Sequence, residues 1–401
     1  MNVTLNDIRE RESRHIVQTY KRQPVAFVRG RGVYLYDVDG REYLDFVTGV
    51  GVAALGHAHP GLTAVIADQA ATLIHTSNLY YHPFQADAAS RLAELSGLPR
   101  VFFCNSGAEA VEACLKFARR FWYTKGERDR LGFVAVEGAF SGRTMGALSV
   151  THHYREPFGP LIGPVTFVDP SKPEDLARAV TSKTAAVIAE PIIGEGGVRP
   201  MTPEFAAAIN EACARTGALY IADEVQTGLG RTGYPFYSKV LGLRPDLISV
   251  GKALGGGIPI GAALVSENIA QTISAGDHGS TYGGNLLGTR AAAFVLEQLT
   301  NGLIDHVKSV GAHLERRLRA LQLQHQIIVE VRGAGLMRGL QLDVDAAPII
   351  DGARERGLLV NRTDERVVRL LPPLVTEVSE IDRAVEILDG VFSAVRQEVK
   401  A

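Results

Sequence analysis

Cysteine is scarce in this chain. Its three copies, Cys104, Cys114 and Cys213, are odd in number and lack the spacing of metal ligands. That argues against a disulfide framework or a zinc site, calls for no metal, and leaves them as small buried residues. A charge excess is missing too, since 42 basic and 44 acidic side chains leave a formal net charge of −2. No bulk basic character exists to attract nucleic acid or an anionic membrane. No apolar run approaches a membrane span, and Met1-Asn2-Val3-Thr4-Leu5-Asn6-Asp7 lacks the basic-then-apolar layout of a secretory signal, so the cytosol is the expected compartment. Neither H-E-x-x-H nor G-x-S-x-G occurs, which lowers the metal-hydrolase and serine-hydrolase readings. Internal repeats, low-complexity tracts and Ser- or Pro-rich linkers are also absent.

What is present is length and apolar content: 401 residues, 46% hydrophobic, enough for a sizeable core and more than one domain. Residues Gly32 to Phe46 alternate apolar and polar side chains about Asp39-Gly40, which predicts a β-hairpin. From about 60 to 290, short apolar runs (Val101-Phe103, Phe133-Val136, Ala185-Ala189, Ala218-Ala222, Leu247-Val250) alternate with helical patterns such as Pro203 to Thr216. That is α/β grammar with a mostly parallel sheet. Beyond 290 the pattern predicts a long helix through Leu323, strands near Ile327-Val331 and Leu340-Val344, and a last helix from Glu380 to Val395. The expected division is 1–56 as an N-terminal hairpin segment of a small domain, 57–290 as a large α/β domain, and 291–401 as the rest of a smaller α+β domain.

Two of the apolar runs end in reactive groups. Ala218-Ala222 leads into Asp223-Glu224-Val225-Gln226, and Leu247-Val250 leads to Lys252 and the flexible Gly255-Gly256-Gly257. Neighbouring strand ends would deliver an acid and an amine to one crevice, a pair that suits a pyridoxal phosphate enzyme. A lone lysine near a loop is usually a solvated charge, and a lone acid at a strand end is often a helix cap. The run Cys104-Asn105-Ser106-Gly107-Ala108 adds weight, because it lies between a strand and a helix and can present helix-start amides to a phosphate. Gly228-Leu229-Gly230-Arg231-Thr232-Gly233 matches a dinucleotide fingerprint in form only. A polar stretch separates it from its strand, and Pro235 opposes a helix there. Gly56-His57-Ala58-His59-Pro60 reads as a turn rather than a metal site.

In these residues the chain resembles the class III, or ω-amino acid, aminotransferases of the fold-type I pyridoxal phosphate enzymes, and most of all their acetylornithine aminotransferase group. The likeness spans nearly the whole chain. It is carried by Tyr20 with Pro24-Val25-Ala26-Phe27, Gly56-His57, Asn105 to Ala110, Phe140-Ser141-Gly142-Arg143-Thr144, Gly194-Glu195-Gly196-Gly197, Asp223 to Gly228, Lys252-Ala253, Gly279-Ser280-Thr281 and Arg369-Leu370-Leu371-Pro372-Pro373. The resemblance implies a mostly parallel central sheet with helices on both faces, the smaller domain being built from both chain ends. It implies that Lys252 carries the cofactor covalently and moves the proton, while Asp223 pairs with the pyridinium nitrogen. Gln226 would orient the ring oxygen and Phe140 would cover the ring face. Ser106, Gly107 and Ala108 would hold the phosphate, with Thr281 reaching it from a neighbouring subunit of a homodimer with shared active sites. Arg143 would bind the carboxylate far from the reacting amine, and Arg369 the α-carboxylate of glutamate. Glu195 would neutralise Arg369 when an ω-amine is bound, and Tyr20 and Ser280 would contact substrate.

The implied reaction exchanges the δ-amino group of N-acetylornithine with 2-oxoglutarate. Succinylornithine, N-succinyl-diaminopimelate, carrier-protein-linked lysine, 4-aminobutyrate and ornithine are the alternative donors, and a catalytically silent protein of the same fold is the alternative of another class. Val50 replaces the tyrosine typical of ornithine δ-aminotransferases, which fits an N-acylated donor better than one with a free α-amine. Ile193 and Ala54 depart from the glutamine and asparagine common at their positions.

Overall fold

The computed structural model describes residues 4–398. Its centre is a seven-stranded sheet in the order Arg100–Cys104, Gly261–Val265, Leu247–Val250, Leu219–Asp223, Thr184–Ala189, Gly132–Val136, Val165–Val168. Only Gly261–Val265 runs antiparallel to its neighbours, and the remaining pairs are parallel. The period of two along these strands divides the core. Val187, Ala189, Tyr220, Ala222, Ile248 and Val250 join the cluster that contains Phe205 and Ile209 of the helix Pro203–Thr216. Ala186, Ile188, Leu219, Ile221 and Leu247 join the one formed with the helix Gly107–Thr124. Strands buried on both faces read as unbroken apolar runs, which is why they stand out in the sequence.

The helix Gly107–Thr124 buries Val111, Cys114, Leu115, Ala118, Phe121 and Trp122 at steps of one, three and four. Burying each of the larger side chains stabilises the fold by about 1.5–3 kcal/mol. Its far end is anchored as well: the Trp122 indole N–H donates to the Ala185 carbonyl at 2.9 Å, and the Arg130 guanidinium lies 3.4 Å from the indole ring centroid. That end of the helix is thereby held against the sheet.

The predicted hairpin forms as Tyr34–Asp37 against Glu42–Asp45, with Gly40 at φ +82°, a left-handed turn position that favours glycine. Leu358–Leu359 adds a parallel strand beside Glu42–Asp45, so both ends of the chain share one sheet. A further sheet has the order Ile328–Ala334, Met337–Leu342, Val367–Leu370, Asn361–Asp364. The expected long helix is two, Leu286–Gln298 and Ile304–Gln324, with a break at Asn301-Gly302, where Gly302 has φ +102°. The strand expected at 340–344 starts earlier, at Met337, paired through a tight turn to Ile328–Ala334. Gly261–Val265 carries no strand signal of its own, since its alanines have weak β preference, and it is held by pairing on both sides. Cys104 and Cys114 are buried, Cys213 is partly buried, and all three are free.

Candidate active site

Asp223 and Lys252 lie at the ends of adjacent parallel strands, with Asp223 in register with Ser249. Asp223 is 3% exposed, and its Oδ1 accepts from the Ser249 hydroxyl at 3.0 Å and from the Val225 amide at 3.3 Å. Its Oδ2 is buried without a partner among the described residues. Burial raises the Asp223 pKa, against the nearby Ser141 hydroxyl, those two hydrogen bonds and the Lys252 charge. Burial likewise lowers the Lys252 pKa. Glu195, Glu190 and Asp223 oppose that shift, while Arg369 adds to it. A depressed amine is more readily free to act as nucleophile or base. Lys252 has φ +41°, a left-handed conformation that costs a non-glycine residue about 1–3 kcal/mol and is maintained only where the surroundings enforce it.

Close packing joins the lysine and the acid to the expected phosphate corner. A Cβ on Gly107 would lie 2.6 Å from Val225 Cγ1, and one on Gly251 would lie 3.0 Å from the Gly107 nitrogen. Residues adjoining Asp223 and Lys252 are thus pressed against the first residue of the helix. Ser106 caps that helix, its Oγ accepting from the Glu109 amide at 3.2 Å, while the Glu109 carboxylate accepts from the Asn105 amide at 2.7 Å. These hydrogen bonds fix the helix start, where free amides and the helix dipole favour an anion. Ala108 is packed by the loop after Phe140, since a Cβ on Gly142 would come within 2.8 Å of the Ala108 Cβ.

Arg369 is 1% exposed, and its charge is met from three elements. Nη1 donates to Glu195 at 2.7 Å and to the Gln226 side-chain Oε1 at 3.1 Å, and Nε donates to Asn361 Oδ1 at 3.2 Å. Glu195 is one-third exposed, so the pair joins a fixed cation to a more accessible anion. Glu190 directly follows the neighbouring strand Thr184–Ala189: its carboxyl oxygens accept from the Phe140 amide at 2.9 Å and the Gly194 amide at 3.1 Å. Burial, with Asp223 close by, pushes its pKa up to about 8. Phe140, Glu190 and Glu195 also line a cleft of roughly 670 Å³ that opens toward His153, Tyr154 and Arg199.

The remaining expected residues are less closely tied to this centre. Ser280 reaches the phosphate corner, its Oγ accepting from Asn105 Nδ2 at 3.1 Å. Thr281 is exposed and makes no hydrogen bond among the described residues. Arg143 is exposed, its guanidinium 3.6 Å from the Tyr154 ring centroid and 5.5 Å from that of Phe140. Tyr20 is 74% exposed, with Arg22 its aromatic–cation neighbour. Ser249 and Asn361 carry no signal in the sequence. Each meets its partner across a strand pair, Asp223 with Ser249 and Arg369 with Asn361, and pairing of that kind leaves no local signal.

The residues present fit pyridoxal phosphate, because the partnerless, buried Asp223 Oδ2 suits a cationic ring N–H while an amine and a helix-start anion site stand beside it. Comparison with known proteins agrees. The model of the family described as "Aminotransferase class-III" matches residues 16–392. An acetylornithine aminotransferase of Archaeoglobus fulgidus is 47% identical over 94% of this chain and 98% of its own length. One of Methanocaldococcus jannaschii is 42% identical over 96% and 98%. Among solved structures, the ornithine aminotransferase of Toxoplasma gondii superposes with TM-score 0.93 at 32% identity, covering 99% of this chain and 96% of that one. A transaminase of Virgibacillus gives 0.91 at 25% identity, covering 98% and 99%. The chain belongs to the class-III aminotransferases and is a pyridoxal phosphate-dependent transaminase.

Proposed function

We propose that this enzyme transfers the δ-amino group of N2-acetylornithine to 2-oxoglutarate, giving N-acetylglutamate 5-semialdehyde and glutamate, a step of arginine biosynthesis. The observation that carries the reading is the pairing of buried Arg369 with the more exposed Glu195. One pocket must accept an ω-amine, which brings no carboxylate next to the reacting carbon, and glutamate, which does. A cation that can be covered or uncovered by its own acid serves both. The relatives named acetylornithine aminotransferases, at 42–47% identity, support the choice of donor. Val50 agrees with it: an apolar side chain, packed against Ile192, Val198, Met337 and Leu371, offers nothing to a free α-amine.

The chain's part in the chemistry follows from the site. Lys252 would supply the amine that attaches the cofactor and would carry the proton to and from the reacting carbon. When bound, pyridoxal phosphate supplies an electron-withdrawing ring. Asp223 would keep its nitrogen protonated, Gln226 would orient its oxygen, Phe140 would cover one face, and Ser106, Gly107 and Ala108 would hold its phosphate. Arg143 would take the donor's distant carboxylate, with Tyr20 and Ser280 as further contacts.

A homodimer is part of the proposal. Leu79, Tyr80, Tyr81 and Tyr282 are exposed hydrophobics on two segments that are joined where Asn78 Nδ2 donates to the Ser280 and Gly283 carbonyls. Exposed apolar side chains near Thr281 are what a second copy would cover while receiving that threonine at its phosphate. Among the described residues no helix is long and apolar enough to cross a membrane, and we place the enzyme in the cytosol. We further propose 57–290 as the cofactor-binding domain, with 1–56 and 291–401 forming the smaller one.

A donor screen with 2-oxoglutarate tests the reading: N2-acetylornithine should give the highest kcat/KM among acetylornithine, succinylornithine, N-succinyl-diaminopimelate, carrier-linked lysine, 4-aminobutyrate and ornithine. Negligible turnover of acetylornithine beside fast turnover of another amine sinks it. Two substitutions probe the parts. Glu195→Gln keeps the shape but not the charge that neutralises Arg369, so kcat/KM for the ω-amine should fall about tenfold while that for glutamate holds. Gly107→Ala should weaken pyridoxal phosphate binding about tenfold, because the new methyl meets Val225 at 2.6 Å, and adding Val225→Ala should recover most of the loss. Equilibrium dialysis of the apoenzyme reads both affinities.

A further inference from the structure

Glu190 enters none of the roles above, and its place before Pro191 reads as structural. Yet it directly follows the strand next to Asp223, since Ala189 is in register with Ala222, and it is 5% exposed. Its two oxygens do different things. Oε1 accepts from the amide of Phe140 itself, and Oε2 accepts from the amide of Gly194, the residue immediately before Glu195. The loops that carry these residues also touch directly: a Cβ on Gly196 would lie 2.6 Å from the Gly138 carbonyl oxygen. One carboxylate therefore lies beneath two loops already in van der Waals contact, bonded to each at the residue nearest the side chain that matters.

We propose that Glu190 is a positioning residue that locks the peptide of Phe140 to the peptide before Glu195, so that the ring-covering aromatic and the partner of Arg369 hold a fixed relation. The physical ground is that a buried carboxyl group losing either amide is left with an unsatisfied oxygen, so neither loop shifts without the other. Glu190 touches no reacting atom in this arrangement and acts through the backbone of its neighbours. Its effect should divide into two readouts, one for each loop. Phe140 governs the asymmetric environment of the bound cofactor, and Glu195 governs the balance between donor and glutamate. The inference rests on the roles proposed above for Phe140 and Glu195.

Four variants of the holoenzyme test it: Glu190→Gln, Glu190→Ala, Phe140→Ala and Glu195→Gln. Each is measured for visible circular dichroism per unit of bound cofactor absorbance, for the ratio of kcat/KM on glutamate to that on acetylornithine, and for Tm. Glu190→Ala should lose about half or more of the dichroism, as Phe140→Ala should, and shift the ratio several-fold in the direction expected for Glu195→Gln. Glu190→Gln, whose amide oxygen can still accept one N–H while its NH2 cannot accept the other, should lose less in total and should carry the test if the alanine variant does not fold. Both Glu190 variants with lowered Tm but unchanged dichroism and ratio would overturn the proposal, leaving a residue that merely stabilises the fold. Phe140→Ala and Glu195→Gln that move neither readout would instead overturn the roles on which it stands, and the proposal with them.

Discussion

Replacing Lys252 with alanine is expected to lower transamination by on the order of 10⁴-fold or more, the scale seen when a covalent nucleophile that also moves the proton is removed. Two duties end at one nitrogen here. The ammonium is depressed by burial, so the free amine is more available than on a surface lysine, and three acids and one arginine set its local field. Alanine removes the amine and leaves the rest of the site in place, because the helix cap at Ser106, the Gly107–Val225 contact and the Asp223 hydrogen bonds do not involve the lysine side chain. The variant should therefore still bind pyridoxal phosphate in dialysis, while borohydride should no longer fix it to the chain. Glutamate-dependent conversion in single turnover reads the rate. A residual rate within a tenth of the parent enzyme would remove Lys252 from the role proposed for it. Partial rescue by added methylamine would show that the missing element is the amine and not the fold.

The readability of the site differed from residue to residue for physical reasons. Asp223 and Lys252 follow strands buried on both faces, and such strands announce themselves as apolar runs with polar ends. The helix Pro203–Thr216 stands out for another reason, with Thr202 as its cap, Pro203 in its first turn and Gly217 at its end. Arg369 offers no such signal. Nothing in its neighbourhood of sequence announces a fully buried guanidinium, and its partners Glu195, Gln226 and Asn361 come from three separate segments. The break at Gly302 was hidden because apolar residues continue in helical phase across it. Glu190 shows the limit most clearly. Its proline neighbour marks the end of a strand, but that its two oxygens serve two different loops is a fact of tertiary structure alone.

Asp223→Asn should reduce kcat about 10³-fold, equivalent to roughly 4 kcal/mol in the barrier, with a smaller loss of cofactor affinity. Asparagine can keep the contacts made by Oδ1, accepting from Val225 N–H and Ser249 O–H, so the strand ends should stay in place. What it cannot do is balance a positive charge. Burial raises the Asp223 pKa, and a cationic N–H at the partnerless Oδ2 would oppose that shift, so acid and cation would favour each other's charged forms. A neutral amide at this position would no longer favour a proton on the cofactor's ring nitrogen, so the ring would withdraw electrons less strongly. Proton removal from the substrate carbon then slows most. A larger kinetic isotope effect with deuterated substrate should accompany the lower kcat, and a variant within tenfold of the parent with an unchanged isotope effect would exclude this electronic role. The loss is expected to be smaller than for Lys252 because the amine that attacks and carries the proton is still there; only the stabilisation of developing charge is gone.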